Sequence, residues 1–200
     1  KAINGQLEMS DLSQAASETL VRLTNYPHVC VTVLDKDQEH WVVSGAAGRL
    51  AAVLGANYPI FKGVIGRAFK TGKNQQVSDV FKDPSYLRDV STTGTPALRS
   101  EVVALIRHGK QILGALNIES ELVNAFSDED VAMIESLAEV IAIALDNAKL
   151  YEEAQQDILQ RKQTETELQK SHSLLQATLE SATEGILVVD LQGNLVRYNY

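Results

Sequence analysis

The order of elements along this chain predicts an α+β fold. It implies an antiparallel sheet with helices packed on one side, and then a long helix leading to a short β unit. Three observations carry this. Apolar, β-branched runs at residues 29–34, 101–106 and 111–118 are separated by polar turns, the pattern of hairpins. Helical periodicity brackets them, at residues 10–23 and from Ser127 onward. A highly charged helical stretch then ends at Glu184-Gly185, before two short apolar segments at 186–189 and 195–198 joined by the turn DLQGN.

The first helix, residues 10–23, places Leu12, Ala15, Ala16, Leu20 and Leu23 on one face, and Pro27 lies just past its end. The run VCVTVL at 29–34 is a strand; residues 35–39 turn the chain, and 41–44 pair back as a hairpin. Residues 45–48 and 55–59 are looser. VIGRAFKT at 64–71 is a short helix stopped by Gly72, and 75–78 is a further strand. Residues 79–98 form a long polar loop with Pro84, Gly94 and Pro96, and loops of this length usually carry function. Strands follow at 101–106 and 111–118 around a turn at 107–110. Ser127 then caps a long helix whose first turn, Asp128, Glu129 and Asp130, suits the positive end of the helix dipole. Asp130 stands three residues after the cap, where a capping box prefers Glu. Val131, Ile134, Leu137, Ala138, Ile141, Ala142 and Leu145 give this helix its apolar face, and no break separates it from the charged stretch beyond.

In that stretch Tyr151, Ala154, Ile158, Arg161, Glu165, Leu168, His172, Leu175, Leu179 and Ala182 alternate three and four apart. This is a heptad seam interrupted by Arg161, Glu165 and His172. Arg161 and Glu165 are four apart in the less favourable order for an ion pair. A helix this polar has little to hold it alone, so a parallel dimeric coiled coil is expected, with Tyr151, Ala154, Ile158, Leu168, Leu175 and Leu179 in the seam.

Composition narrows the function. At 200 residues and 44% hydrophobic content the chain can form one sizeable core plus an extension. A net charge of -8, with Arg161-Lys162 the sole adjacent basic pair, argues against nucleic-acid binding. Cys30 is the single cysteine, so no internal disulfide forms, and a reducing, cytoplasmic setting is expected. No apolar run approaches about 18 residues, so no membrane contact is expected within the segment. A start without Met suggests a piece of a longer protein.

Two stretches carry family resemblances. SEVVALIRHGKQILGALNIES, followed by NAFSDEDVAMIESLAEVIAIALDNAKLYEE, resembles the C-terminal half of a GAF domain, and VCVTVLDKDQEHWVVSGAAG with VIGRAFKTGKNQQVSD matches its earlier part. LLQATLESATEGILVVD with its G-N turn and VRYN is similar to the lead-in of a PAS domain, cut about a fifth of the way through. The resemblances imply a GAF-like sensory domain at 8–148, a coiled-coil signalling helix at 149–183 and the N-terminal fragment of a PAS domain at 184–200. They imply a six-stranded-type sheet, a ligand cavity under covering loops, and a homodimer formed through the terminal helices. GAF followed by PAS resembles the input half of multidomain sensors, most often two-component histidine kinases, sometimes cyclases or phosphodiesterases. The segment itself carries no phospho-acceptor helix and no ATP-binding domain, and it is expected to be non-catalytic.

Specific GAF chemistries can be weighed residue by residue. Bilin attachment needs a cysteine beside the pocket, but Cys30 lies mid-strand with the character of a core residue. The GAF-type methionine sulfoxide reductases use several cysteines, and one cannot form their disulfide. Asn124, Phe126, Asp128 and Glu129 only echo the cyclic-nucleotide signature, without its Lys and with too short a spacing. His28, His40, His108 and His172 are scattered, which argues against haem and against a metal site. No Ser-His-Asp set, HExxH or P-loop is present. What remains is a generic small-molecule cavity. Family geometry and residue type nominate Trp41, Val43, Tyr58, Phe61, Phe81 and Tyr86 for its lining. Ser100, Val102 and Ala104 face one way together on their strand, and Asp83 and Arg99 could fix a polar ligand. Two functions follow: a ligand-sensing module that relays through the helix, or a ligand-free structural dimerisation domain with sensing left to the PAS unit.

Overall fold

The structure is a computed structural model. It describes residues 3–35, 37–87, 97–181, 185 and 187–198, and their side chains except those of residues 3–8, 179, 180 and 197. Two units separate at Leu150/Tyr151.

The first unit is built on a six-stranded antiparallel sheet. Its strands are β1 (His28–Leu34), β2 (His40–Ala47), β3 (Asn57–Pro59), β4 (Gln75–Val77), β5 (Ser100–His108) and β6 (Gln111–Ser120). The spatial order is β3-β2-β1-β6-β5-β4. The helices are α1 (Ile3–Leu23), α2 (Gly63–Thr71) and α3 (Asp128–Ser181), and one 3-10 turn spans Gly48–Val53. The strands run longer than their apolar cores suggest. β2 continues through Gly45 to Ala47, and β5 and β6 extend to His108 and Ser120. Backbone pairing with a neighbour holds such residues in the sheet whatever their propensity.

Alternation divides the core in two. On one face Val29, Val31, Val102, Ala104, Ile106, Leu116 and Ile118 pack against Ile134, Ala138, Ile141, Ala142 and Leu145 of α3 and Leu20 of α1. Each fully buried aliphatic side chain contributes roughly 1.5–3 kcal/mol. On the other face Cys30, Trp41, Val43, Val103, Leu105 and Ala115 meet α2, the 3-10 turn and the loop after β4.

The apolar face expected of α3 is the buried one; that expected of α1 is partly rotated. Ser13, Ser17 and Leu20 are buried, Leu12 and Ala16 are partly buried, and Ala15 and Leu23 are exposed. The serine hydroxyls satisfy themselves on Met9 O and Ser13 O within the helix. Small residues let α1 approach β2 closely. A Cβ on Gly45 would lie 2.2 Å from the Ser13 carbonyl carbon. The Gln14 side-chain amide then pairs with both the N–H and the C=O of Ala46, at 2.9 and 3.0 Å. That satisfies strand backbone beyond the reach of short β3.

Ser127 and Asp130 form a reciprocal cap at the start of α3. Ser127 N–H donates to Asp130 Oδ2 at 2.9 Å, and Asp130 N–H donates to Ser127 Oγ at 3.2 Å. Asp thus does the work expected of Glu, because the Ser127 hydroxyl also donates to it at 2.6 Å. These bonds hold the Asp130 carboxyl below its ordinary range. Burial, and next Asp130, push the Tyr26 phenol up to about 12.

In the second unit α3 continues to Ser181, and β7 (Leu187–Val189) pairs with β8 (Leu195–Tyr198) as a hairpin. Asp190 holds its turn by accepting from Gln192 N, Asn194 N and Asn194 Nδ2. Arg161 pairs with Asp157 at 3.1 Å rather than with Glu165, which is the favourable acid-first order. Tyr151, Ala154, Ile158, Leu168 and Leu175 are exposed in the single chain. The Leu179 side chain, Ala182, Thr183, Ile186 and residues 88–96 of the long loop lie outside the described residues.

Because the α1–β2 approach leaves no room, Gly45→Ala is expected to lower stability by about 3 kcal/mol, read from denaturant unfolding. A loss under about 0.5 kcal/mol would show that α1 does not pack there.

Candidate functional site

Between the sheet and its covering segments lies a cavity with about 440 Å³ of empty space, counting its open mouth. Three elements and a loop wall it. β2 supplies Trp41 and Val43, and Trp41 stacks on its register partner Tyr58 of β3 with ring centroids 4.5 Å apart. The turn at Gly48–Val53 supplies Leu50, and the start of α2 supplies Val64 and Ile65. Gly63 opens α2 at φ +77°, where a Cβ would press Leu87 at 3.0 Å, so a glycine suits this corner.

The floor of the cavity is polar. Glu101 of β5 sits directly opposite Glu119 of β6, and Asn117 lies two residues along the same face. All three are buried, at 3%, 4% and 3% exposure. Tyr86 reaches down from the loop, and its hydroxyl donates to Glu119 Oε2 at 2.6 Å. Asn117 Nδ2 donates to Glu119 Oε1 at 3.2 Å. That bond sets the amide's orientation, because Oδ1 turned toward the carboxylate would be repelled. Asn117 Oδ1 is then left with no partner among the described residues, and so is Trp41 Nε1. Each such buried polar atom costs about 1–3 kcal/mol until something meets it. His28, in register with Glu119 on the other side, turns instead to Arg49 N–H and to Glu121 at 3.5 Å. Burial outweighs Glu121 and lowers the His28 pKa, so its ring is neutral near pH 7.

The loop over the cavity is pinned by two arginines. Arg67 of α2 grips both oxygens of Asp83, at 2.9 and 2.7 Å. Arg99 holds Asp79 in the same way, with contacts of 3.2 Å, and its guanidinium lies 4.9 Å over the Phe81 ring. Desolvation pushes Asp83 upward, but Arg67 and the Ser85 N–H outweigh it and leave its carboxyl below the ordinary range. Asp83 and Arg99 therefore anchor the loop rather than line the cavity.

Of the residues nominated from sequence, Trp41, Val43, Tyr58 and Tyr86 come together in the lining. Phe61 is 63% exposed and belongs to an outer depression with Lys62, Arg67 and Ser85, and Phe81 is 42% exposed beneath Arg99. Ser100, Val102 and Ala104 share a face, but it is a different one. Val102 and Ala104 pack toward α3, and Ser100 donates to Leu122 O at 2.7 Å. A side-chain period of two turns a one-residue error of parity into the opposite face. The cavity floor is instead Glu101, Asn117 and Glu119, which the sequence reading missed. Their signal was legible as ionic or amide residues at alternating positions inside otherwise apolar strands, SEVVALI and ALNIES. Cys30, expected as core, is buried and also borders the cavity.

The GAF domain family matches residues 6–146 of the chain. The chain belongs to this family. GAF domains are typically sensory or regulatory ligand-binding modules. Protein YtsP of Bacillus subtilis (strain 168) is 30% identical over 110 residues, which span 55% of this chain and 63% of that protein, less than two thirds of its length. Among solved structures, the GAF domain of a phosphoenolpyruvate-protein phosphotransferase from Coxiella burnetii superposes with a TM-score of 0.65 at 16% identity, covering 72% of this chain and 85% of that one. A type II free methionine-R-sulfoxide reductase from Thermoplasma acidophilum gives 0.60 at 24% identity, covering 72% and 96%. These two likenesses establish the fold. Within the GAF domain and the rest of the described chain, no helix is long and apolar enough to cross a membrane.

Arg67→Met should cost about 1–2 kcal/mol at pH 7, measured by thermal melting. The folded Asp83 pKa is depressed, so its contribution is full above the unfolded value and fades as pH falls through the folded one. The gap between wild type and variant should therefore shrink from about pH 4 downward. A gap independent of pH would mean that the pair does not hold the loop.

Proposed function

We propose that this GAF domain is the input module of a signal-transduction protein. It binds a small molecule in the cavity and relays occupancy through α3. The observation that carries this is the cavity itself, apolar on its walls and polar on its floor, with Trp41 Nε1 and Asn117 Oδ1 still to be met. Trp41, Val43, Tyr58 and Tyr86 are the proposed contacts from the earlier nominations. Tyr86 bridges the covering loop and Glu119, so a ligand that displaces its hydroxyl would move the loop. Boundaries near 8–148, 149–183 and 184–200 fit this division of labour, with the last segment a PAS start and a histidine kinase as the downstream output in the cytoplasm.

A homodimer through the terminal helices completes the proposal. Met133, Val140, Ala154, Leu168 and Leu175 of α3 fall on one heptad position that Asn147 and Arg161 interrupt, and all five are exposed in the single chain. An apolar line of this length on one helix is the surface a second copy would cover. The reductase activity of the Thermoplasma acidophilum protein is not carried over, because Cys30 is the only cysteine here and cannot form an internal disulfide.

Two measurements test the proposal. A thermal-shift screen of small metabolites should find at least one that raises Tm, because a ligand of the folded state must stabilise it. If none does, the domain is a ligand-free dimerisation unit. Changing Leu168 and Leu175 together to Ser should weaken the dimer by at least about a hundredfold in sedimentation equilibrium. An unchanged dimer would place the interface elsewhere.

A further inference from the structure

We propose that His28 is a pH-sensitive latch on the cavity wall. Protonating its ring releases the Gly48–Val53 turn and moves Leu50, whether or not a ligand is bound.

The geometry requires a neutral ring. His28 opens β1 and is 6% exposed. Its Nδ1 accepts the N–H of Arg49, in the first part of the turn, at 3.2 Å. A ring nitrogen that accepts carries no proton, so the hydrogen of the neutral ring lies on Nε2. That nitrogen is buried 3.5 Å from Glu121 Oε1 and has no hydrogen-bond partner among the described residues. The turn rests directly against the ring. Gly48 takes φ +65°, and a Cβ there would stand 2.7 Å from Nδ1 and closer still to the Pro27 carbonyl oxygen.

A second proton has to go on Nδ1. Two N–H donors then face each other where one bond stood, and the tie to Arg49 is lost. The acceptor left beside the ring is the Pro27 carbonyl, a partner that favours the charged form. The ring thus exchanges the turn for the residue that precedes it in the chain. Among the described residues two charges act on it. Glu121, just past β6, favours protonation, and Arg49, from the turn, opposes it. These two also pair with each other at 2.9 Å, so a charged His28 competes with Arg49 for the carboxylate and loosens the turn at a second point. Glu119, opposite His28 in register, is engaged by the Tyr86 hydroxyl and the Asn117 amide. Burial outweighs Glu121 and holds the ring below its ordinary value of 6.5, which puts the transition on the acid side of neutrality. The turn matters to the site because Leu50, 3% exposed, and Val53 are part of the cavity lining.

The test is an NMR titration of the whole 200-residue chain, with the His28 ring assigned among the four histidines. It runs from about pH 7.5 to about pH 5, beside the variant His28→Asn, whose amide oxygen can accept from Arg49 without titrating. The wild-type ring should be the Nε2–H tautomer at neutral pH, with a midpoint below about 6.5. The Arg49 amide and Leu50 methyl signals should shift with that midpoint, and the exchange protection of the Arg49 amide should fall at least about tenfold across it. In His28→Asn the same signals should stay flat. Because the folded pKa lies below the unfolded one, stability is full above the unfolded value and falls as pH drops between the two. The unfolding constant should therefore rise several-fold more in wild type than in the variant over that window. A proton on Nδ1 at neutral pH, a midpoint at or above about 6.5, or Leu50 signals that ignore the midpoint would overturn the proposal. So would a turn transition that persists in His28→Asn. The wild-type titration decides the matter even if the variant does not fold.

Discussion

Antiparallel pairing allows each residue of β1, β6 and β5 only two directions, and the register of these three strands is the constraint on which the rest depends. Val31, Leu116 and Ala104 align across the sheet on the side that α3 covers, while Cys30, Asn117 and Val103 align on the other. A slip of one residue in β6 would carry Asn117 and Glu119 into the hydrocarbon layer under α3, and would send Leu116 and Ile118 into the cavity. The apolar layer therefore does more than stabilise the fold. By making that slip prohibitive, it holds two carboxylates and an amide at the bottom of a pocket where they would not settle on their own.

The covering side is held differently. Val80, Tyr86 and Leu98 of the loop after β4 are buried in the core cluster, and charge adds further anchoring. Two bidentate Arg–Asp pairs, Arg67–Asp83 and Arg99–Asp79, tie it to α2 and to the entrance of β5. Both pairs are partly exposed, and pairs of that kind are worth little each. Tyr86 joins the two regimes, with its ring at the loop and its hydroxyl on Glu119.

α3 serves two environments in one element. From Ile134 to Leu145 its apolar residues meet the sheet. Beyond Leu150 its side chains are mostly polar, with a sparse apolar line along one heptad position.

The class of fold, the existence of most strands, and the cap and buried face of α3 were legible in the sequence alone. Each depends on a local period or on a residue type with a strong preference, and such signals survive without knowledge of neighbours. The rotation of α1 toward Ser13 and Ser17, the engagement of Asp83 and Arg99 by partners sixteen and twenty residues away, and the face of β5 that meets the cavity were decided only by the tertiary structure. Sequence shows that alternate residues of a strand share a face, but not which face looks inward. That is settled by which side the helices cover, and here both sides are buried, so neither parity is marked by exposure to water. In β5 the deciding mark was Glu101, a charge in an apolar strand whose meaning depended on its partner in β6.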